Sequence, residues 1–285
     1  MTKQYESLLK RYKEQPESTA FAFFPFDREA GENRESPFEF LAEHKAKKES
    51  WNFARPEYRK GPMRFPILQS YLNYTFLRLQ DQDKIFFTPD GKHAVFNTGL
   101  LTPDEKEIFA LFDKNHSNRD GEIPDWFFKG FFDSYAPQIA PYRQSLPDVA
   151  TYAKDASDYV LDTSFDIDVN IGHILDDDEN KLRLPEILRN NRTLALAAIE
   201  GATKFLKQKV IRNYKIAIPQ WYMPEKRIQL LLPLCLVSPE KADLALVADK
   251  DSDGRVYRIR TALRMDMAYS NARLITRPDR EWLDP

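Results

Sequence analysis

Three runs in the last quarter of the chain constrain its fold most: RIQLLLPLCLV (227–237), ADLALVADK (242–250) and RVYRIRTALR (255–264). The first two are short, apolar and bounded by polar turns, which suits strands buried in a sheet. The third alternates. Tyr257, Ile259, Thr261 and Leu263 are expected on one face, with Arg258, Arg260 and Arg264 on the other beside Val256 and Ala262. Alternate strand residues lie about 7 Å apart. An arginine row at that interval suits the phosphates of a nucleic-acid backbone, since a guanidinium fork pairs with phosphate oxygens. The same row also serves a plainer purpose, charging a strand face against edge pairing.

The remaining chain supplies helices and a further hairpin. Residues 1–15 place Tyr5, Leu8, Leu9 and Tyr12 at helical spacing, and a docked extended segment and loop follow to residue 35. Ser36, Pro37 and Glu39 open a helix to about Lys48, with serine as N-cap and proline at the first helical position. Pro66 starts another, with Ile67, Tyr71, Leu72, Phe76 and Leu79 as its apolar stripe. Pro89-Asp90-Gly91 between two β-rich runs predicts a hairpin. Thr102 and Pro103 then read as the start of a helix through EIFALFDKN, and residues 125–160 as short helices with irregular packing. A long helix is expected over 193–209, burying Leu194, Ala197, Ala198, Ala202, Phe205 and Leu206, and a short one over DMAYSNARLI. Strands and helices without regular alternation predict an α+β fold: a mixed or antiparallel sheet with packed helices. The expected organisation is an N-terminal helix and extended segment over 1–35, then largely a single domain over 36–285. No internal repeat is visible.

No apolar run approaches the roughly 20 residues of a membrane-spanning helix, and the charged start lacks a signal-peptide core. A cytoplasmic chain without a membrane partner is expected. The single cysteine, Cys235, lies in an apolar run and reads as a core residue. Charge is uneven: residues 1–200 hold 26 Lys and Arg against 34 Asp and Glu, and residues 201–285 hold 16 against 10. The basic C-terminal part suits an anionic partner.

Motifs narrow the chemistry mainly by exclusion. HExxH, GxGxxG, GxSxG and CxxC are absent. Asp249, Asp251, Asp253 and Gly254 spell the first half of a calcium loop, but Arg260 stands at the twelfth position, where a bidentate carboxylate belongs. Asp253-Gly254 therefore reads as a hairpin turn, and no metal or other cofactor is expected. Lys204, Lys207, Lys209, Arg212 and Lys215 form a basic stretch with no acid from Ala202 to Pro224, interleaved with Phe205, Tyr214, Trp221 and Tyr222. Such a stretch can hold a nucleic-acid backbone and stack bases, and cations at a helix C-terminus also stabilise the helix itself. Arg55, Arg59, Lys60 and Arg64 are similarly mixed with aromatics. His173, beside Asp176, Asp177, Asp178 and Glu179, is a candidate acid or base. The plainer alternative is a structural histidine before an acidic surface loop.

YLNYTFLRL, AVFNTGLLT, NIGHI with LRLP, LLLPLCLV with ADLALV, and YRIRTALRMDMAYSNARLI together resemble a mainly bacterial family, the domain of unknown function 3825. The likeness spans roughly residues 36–283. Family members are sometimes joined to cold-shock or other RNA-binding modules, which implies an RNA-related role; residues 1–35 are too few for such a barrel. The matching motif positions are Asn97, Thr98, Gly99, His173, Arg183, Asp266, Tyr269, Asn271 and Arg273. The resulting expectation is an RNA- or nucleotide-interacting domain. If it is a metal-independent enzyme acting on a phosphorylated substrate, His173 is the acid or base, Arg183 and Arg273 clamp phosphate, and Asn97 orients. Tyr269, Asn271, Arg273 and Asp266 would then line the ligand. The alternative is a non-catalytic RNA- or protein-binding module that uses Arg258, Arg260, Arg264, Lys204, Lys207, Arg212 and Lys215. Oligomeric state is left open.

Overall fold

The computed structural model of the chain describes residues 3–10, 14–25, 36–53, 58, 64–118, 120–251, 255–278 and 282–283. The fold is α+β, with helices packed on mixed sheets. Two compact units divide the chain: Met1–Phe53 with Arg59–Thr151, and Ala54–Tyr58 with Tyr152–Pro285.

The first unit holds β1 (Ala22–Phe23), β2 (Phe86–Phe87), β3 (His93–Leu101), β4 (Glu107–Lys114) and β5 (Trp126–Asp133) in the order β1-β5-β4-β3-β2. Strands β2 to β5 form an antiparallel meander, and β1 joins β5 in parallel. Helix α1 (Pro37–Phe40) is capped by Ser36 and runs into a π-helical turn, Leu41–Lys45. Helix α2 (Pro66–Asp81) begins at Pro66 and buries its expected stripe, with Phe76 against Phe96 of β3. The opposite sheet face carries Val95, Phe109 and Leu111 packed with Ile139.

Three expectations for this unit are corrected. Residues 3–10 are not helical, although Tyr5, Leu8 and Leu9 are buried. Their backbone groups find tertiary partners instead: Leu8 N–H donates to Asn73 and Tyr5 N–H to Gln80, both on α2. The helix expected after Thr102 is strand β4. Thr102 to Lys106 form a tight turn with Glu105 at φ 65°, so Thr102 caps a turn and not a helix. IFALF within β4 is a continuous apolar run, which helix and buried strand share; its pairing with both β3 and β5 settles the matter. Residues 126–133, expected to be irregular, form β5.

The second unit contains β6 (Asp166–Val169), β7 (Ile218–Tyr222), β8 (Arg227–Leu234), β9 (Leu244–Lys250) and β10 (Val256–Leu263) in the order β6-β10-β9-β8-β7. Again four strands form an antiparallel meander, and the first strand pairs in parallel with the last. Between β6 and β7 run α3 (Ile171–Asp176), α4 (Asp178–Arg183), α5 (Glu186–Arg189), α6 (Arg192–Lys204) and α7 (Leu206–Arg212). They cover one sheet face with Ile174, Leu188, Ile199, Leu206 and Val210 against Leu232, Leu246 and Ile259. Helix α8 (Met265–Arg273) follows β10 and packs on β7 and β9.

The single helix expected over 193–209 breaks at Phe205 into α6 and α7. Its buried face is Ala195, Ile199, Leu206 and Val210; Leu194, Ala197 and Phe205 are exposed. Cys235, expected in the core, is half-buried, and burial pushes its thiol up. Among the described residues, no helix is long and apolar enough to cross a membrane.

Candidate functional site

Strand β10 departs from simple alternation. Its pairing with β9 shifts register between Ile259 and Thr261, a bulge that reverses which side chains face which way. Tyr257 and Ile259 face the helical core as expected, but after the bulge Ala262 takes that side. Thr261 and Leu263 cross to join Arg258 and Arg260. Arg264, expected in the same row, precedes α8, where it chelates Asp266 and lies over the Tyr58 ring at 5.2 Å.

The sheet face opposite the helical core forms a trough of about 590 Å³. Its floor includes Gln220 and Tyr222 of β7, Arg227 and Gln229 of β8, Asp249 of β9 and Arg258 and Arg260 of β10; Met267 and Asn271 of α8 form a wall. Strand register arranges part of this floor in one row. Gln220 stands opposite Gln229, and Asp249 opposite Arg258. The pairing of Leu230 with Ala248 brings Gln229 beside Asp249 and completes the row across four strands. Gln220 and Gln229 are 1% and 8% exposed. Gln220 Nε2 donates to Gln229 Oε1 at 3.1 Å, and Asn271 Nδ2 donates to Gln220 Oε1 at 3.1 Å.

Charges in the trough are unevenly matched. Arg227 bridges Glu225 and Asp249, and Arg258 pairs with Asp251 at 2.7 Å. Burial pushes the Asp249 carboxyl above its ordinary value, while Arg227 and a bond from Gln229 pull it down. Arg260 makes no hydrogen bond or ion pair among the described residues, although its charge acts on Asp249. Arg227 Nε is buried and without a hydrogen-bond partner there. The first two aspartates of the calcium-like motif therefore serve arginines; Asp253 and Gly254 lie outside the described residues. Strands β9 and β10 on either side pair antiparallel. No group of three or more His, Cys, Asp or Glu among the described residues is placed to hold a metal ion.

The other residues singled out in the sequence lie elsewhere. Asn97 belongs to the first unit, 1% exposed, with Nδ2 on Glu107 at 2.9 Å and Oδ1 accepting from Gly99 N–H. Both ends of its amide hold a bulge in β3. Thr98 is fully buried, bonding Ile108 O and accepting from Tyr71 OH through its carbonyl. Arg183 donates to Asn180, to the Ala262 carbonyl and to Glu179, tying α4 to β10. His173 is exposed on α3, on the helical side of the second sheet. Tyr269, Arg273 and Asp266 are buried in α8, and of the four α8 positions only Asn271 borders the trough.

The basic stretch lies on α6, α7 and the 3-10 turn Tyr214–Ile216, on the helical side of that sheet. Lys204 is exposed, Lys207 pairs with Asp166 at 3.3 Å, and Arg212 folds back on Gln208. Lys215 is exposed within the 3-10 turn. Arg55, Arg59 and Lys60 lie outside the described residues, and Arg64 pairs with Glu39 and Glu43. Sequence reasoning missed Gln220, Gln229 and Arg227, and named Tyr222 only with the basic stretch. The available signal was a pair of amides nine residues apart, spanning a Pro-containing turn within apolar strands.

A family model described as Domain of unknown function (DUF3825) matches residues 42–282. No curated protein and no solved structure matches.

Proposed function

Because the chain belongs to the family of the domain of unknown function (DUF3825), which carries no assigned activity, we propose from geometry that it binds a nucleotide unit, free or within RNA. The site is the open trough of the second sheet. One observation carries the reading. A ligand-sized trough about 590 Å³ in volume is lined by Arg260, a guanidinium unpaired among the described residues, together with Tyr222 and a row of amides. Small-molecule sites usually occupy about 300–1,000 Å³. Arginine supplies phosphate contacts, a tyrosine ring can stack a base, and amides read base edges.

The reading is one of binding, without a chemical step. Arg183 commits three of its N–H donors within the fold, and His173 stands on the far side of the sheet from the trough. Asn97 has both ends of its amide occupied.

Fluorescence anisotropy with a 5′-labelled ten-nucleotide single-stranded RNA tests the proposal, with AMP as competitor to separate a free nucleotide from a chain. Arg260→Ala is expected to weaken binding about tenfold, the scale of one charge-assisted hydrogen bond. The log–log salt slope should flatten by about 0.7, one single-strand phosphate contact. Absence of binding by RNA and AMP at low salt, or unchanged affinity in Arg260→Ala, overturns it.

A further inference from the structure

The amide row has a direction, and the direction determines what it offers a ligand. A carboxylate accepts hydrogen bonds and donates none. Asp249, the cross-strand neighbour of Gln229, can therefore receive only the amino end of that amide. That leaves Gln229 Oε1 to accept from Gln220 Nε2, and Gln220 Oε1 to accept from Asn271 Nδ2. Each amide is oriented by the one before it. Gln220 and Gln229 are buried, so water does not compete to turn them. The last member, Asn271, ends with its amino group held inward and its carbonyl Oδ1 without a hydrogen bond among the described residues. Asn271 borders the trough.

The geometry points to Asn271 as a specificity-determining residue: a fixed acceptor that favours bases presenting an exocyclic amine, such as adenine and cytosine, over hypoxanthine and uracil. This rests on the nucleotide reading above and names the ligand class of the same trough. A freely rotating asparagine presents either end and discriminates poorly. One held at the end of two buried amides that stand beside a carboxylate cannot turn without orphaning them. A base with a carbonyl in place of the amine would set two acceptors against each other, an arrangement that sites built to hydrogen-bond reject strongly. Gln229 and Gln220 act through Asn271 and are positioning residues.

The test compares oligonucleotides on the native chain, so it does not depend on a variant folding. Ten-nucleotide RNAs of adenosine and inosine form one pair, and of cytidine and uridine the other. Adenosine over inosine and cytidine over uridine, each by about tenfold or more, is the expected result. Asn271→Leu should erase the preference, with adenosine and inosine chains then binding equally, and Gln229→Leu should narrow the preference without altering the salt slope. Equal binding of adenosine and inosine chains, with both still dependent on Arg260, overturns this inference and leaves the nucleotide reading standing. Failure of all four chains to bind overturns both.

Discussion

At Gly99 the backbone adopts φ 73°, and a Cβ built there would lie 2.6 Å from the Tyr71 hydroxyl. That hydroxyl donates to the Thr98 carbonyl at 2.9 Å, so it cannot swing aside without losing a buried bond. The Asn97-Thr98-Gly99 motif is thus a bulge that joins β3 to α2, with the Asn97 amide closing it. Gly99→Ala adds left-handed strain to a steric overlap, and should cost about 2–4 kcal/mol. Gly91 has nearly the same φ, 68°, but an added Cβ there would meet nothing within 4 Å; Gly91→Ala should cost only about 1 kcal/mol. Urea denaturation of both variants checks the difference, and equal losses would show that contact with Tyr71 contributes nothing. Asn97, Thr98 and Gly99 are visible in the sequence as polar and small residues among apolar ones. Whether such residues serve a ligand or a bulge depends on what lies 27 positions away at Tyr71, which no local pattern states.

At the level of elements, the strongest sequence signals are those written within one turn or one period. Helix α2 starts at its proline with its expected stripe buried, and the turn at Pro89-Asp90-Gly91 joins β2 to β3. The C-terminal strands β8, β9 and β10 lie where their patterns put them. Ambiguous runs mislead. EIFALFD lacks periodicity, and α6 carries apolar residues on more than one face, so its expected face is only half right: Ala198, Ala202 and Leu206 meet the core, and Leu194, Ala197 and Phe205 do not. Ile199 is fully buried whereas Phe205 is 56% exposed. Ile199→Ala should therefore cost about 2–4 kcal/mol in chemical denaturation, and Phe205→Ser less than about 0.5 kcal/mol. The reverse ranking would place the helix in the rotation that its sequence suggests. The bulge in β10 belongs to this scale too. Without it Thr261 and Leu263 would face the core, and Arg260 would continue a longer arginine row.

Across the whole molecule, both units use one strand order: a first strand, a helical crossover, and a four-strand meander whose last strand pairs in parallel with the first. No repeat is legible in the residues, because topology is set by pairing and not by identity. The same scale separates two basic surfaces that the sequence presents as one C-terminal charge. Arg258 and Arg260 face the trough; Lys204, Lys207 and Arg212 lie on helices covering the opposite sheet face. Reversing Lys204, Lys207 and Arg212 together to glutamate should change RNA affinity less than about threefold at physiological salt, since the Debye length there is about 8 Å. Reversing Arg258 and Arg260 should weaken it at least about a hundredfold, two charge-assisted contacts. Anisotropy titrations compare the two; the opposite ranking would move the ligand to the helices.

The residues alone determined the α+β class, the main helix of the first unit, its first hairpin and the three closing strands. Each follows from periodicity, capping or turn chemistry acting within a few positions. Tertiary structure decided which apolar run became β4, which face of α6 turned inward, and where β10 bulges. It alone placed Gln220, Gln229, Asp249 and Arg258 side by side on four strands. Cross-strand neighbours are fixed by register, and register is a property of pairs of segments rather than of either one.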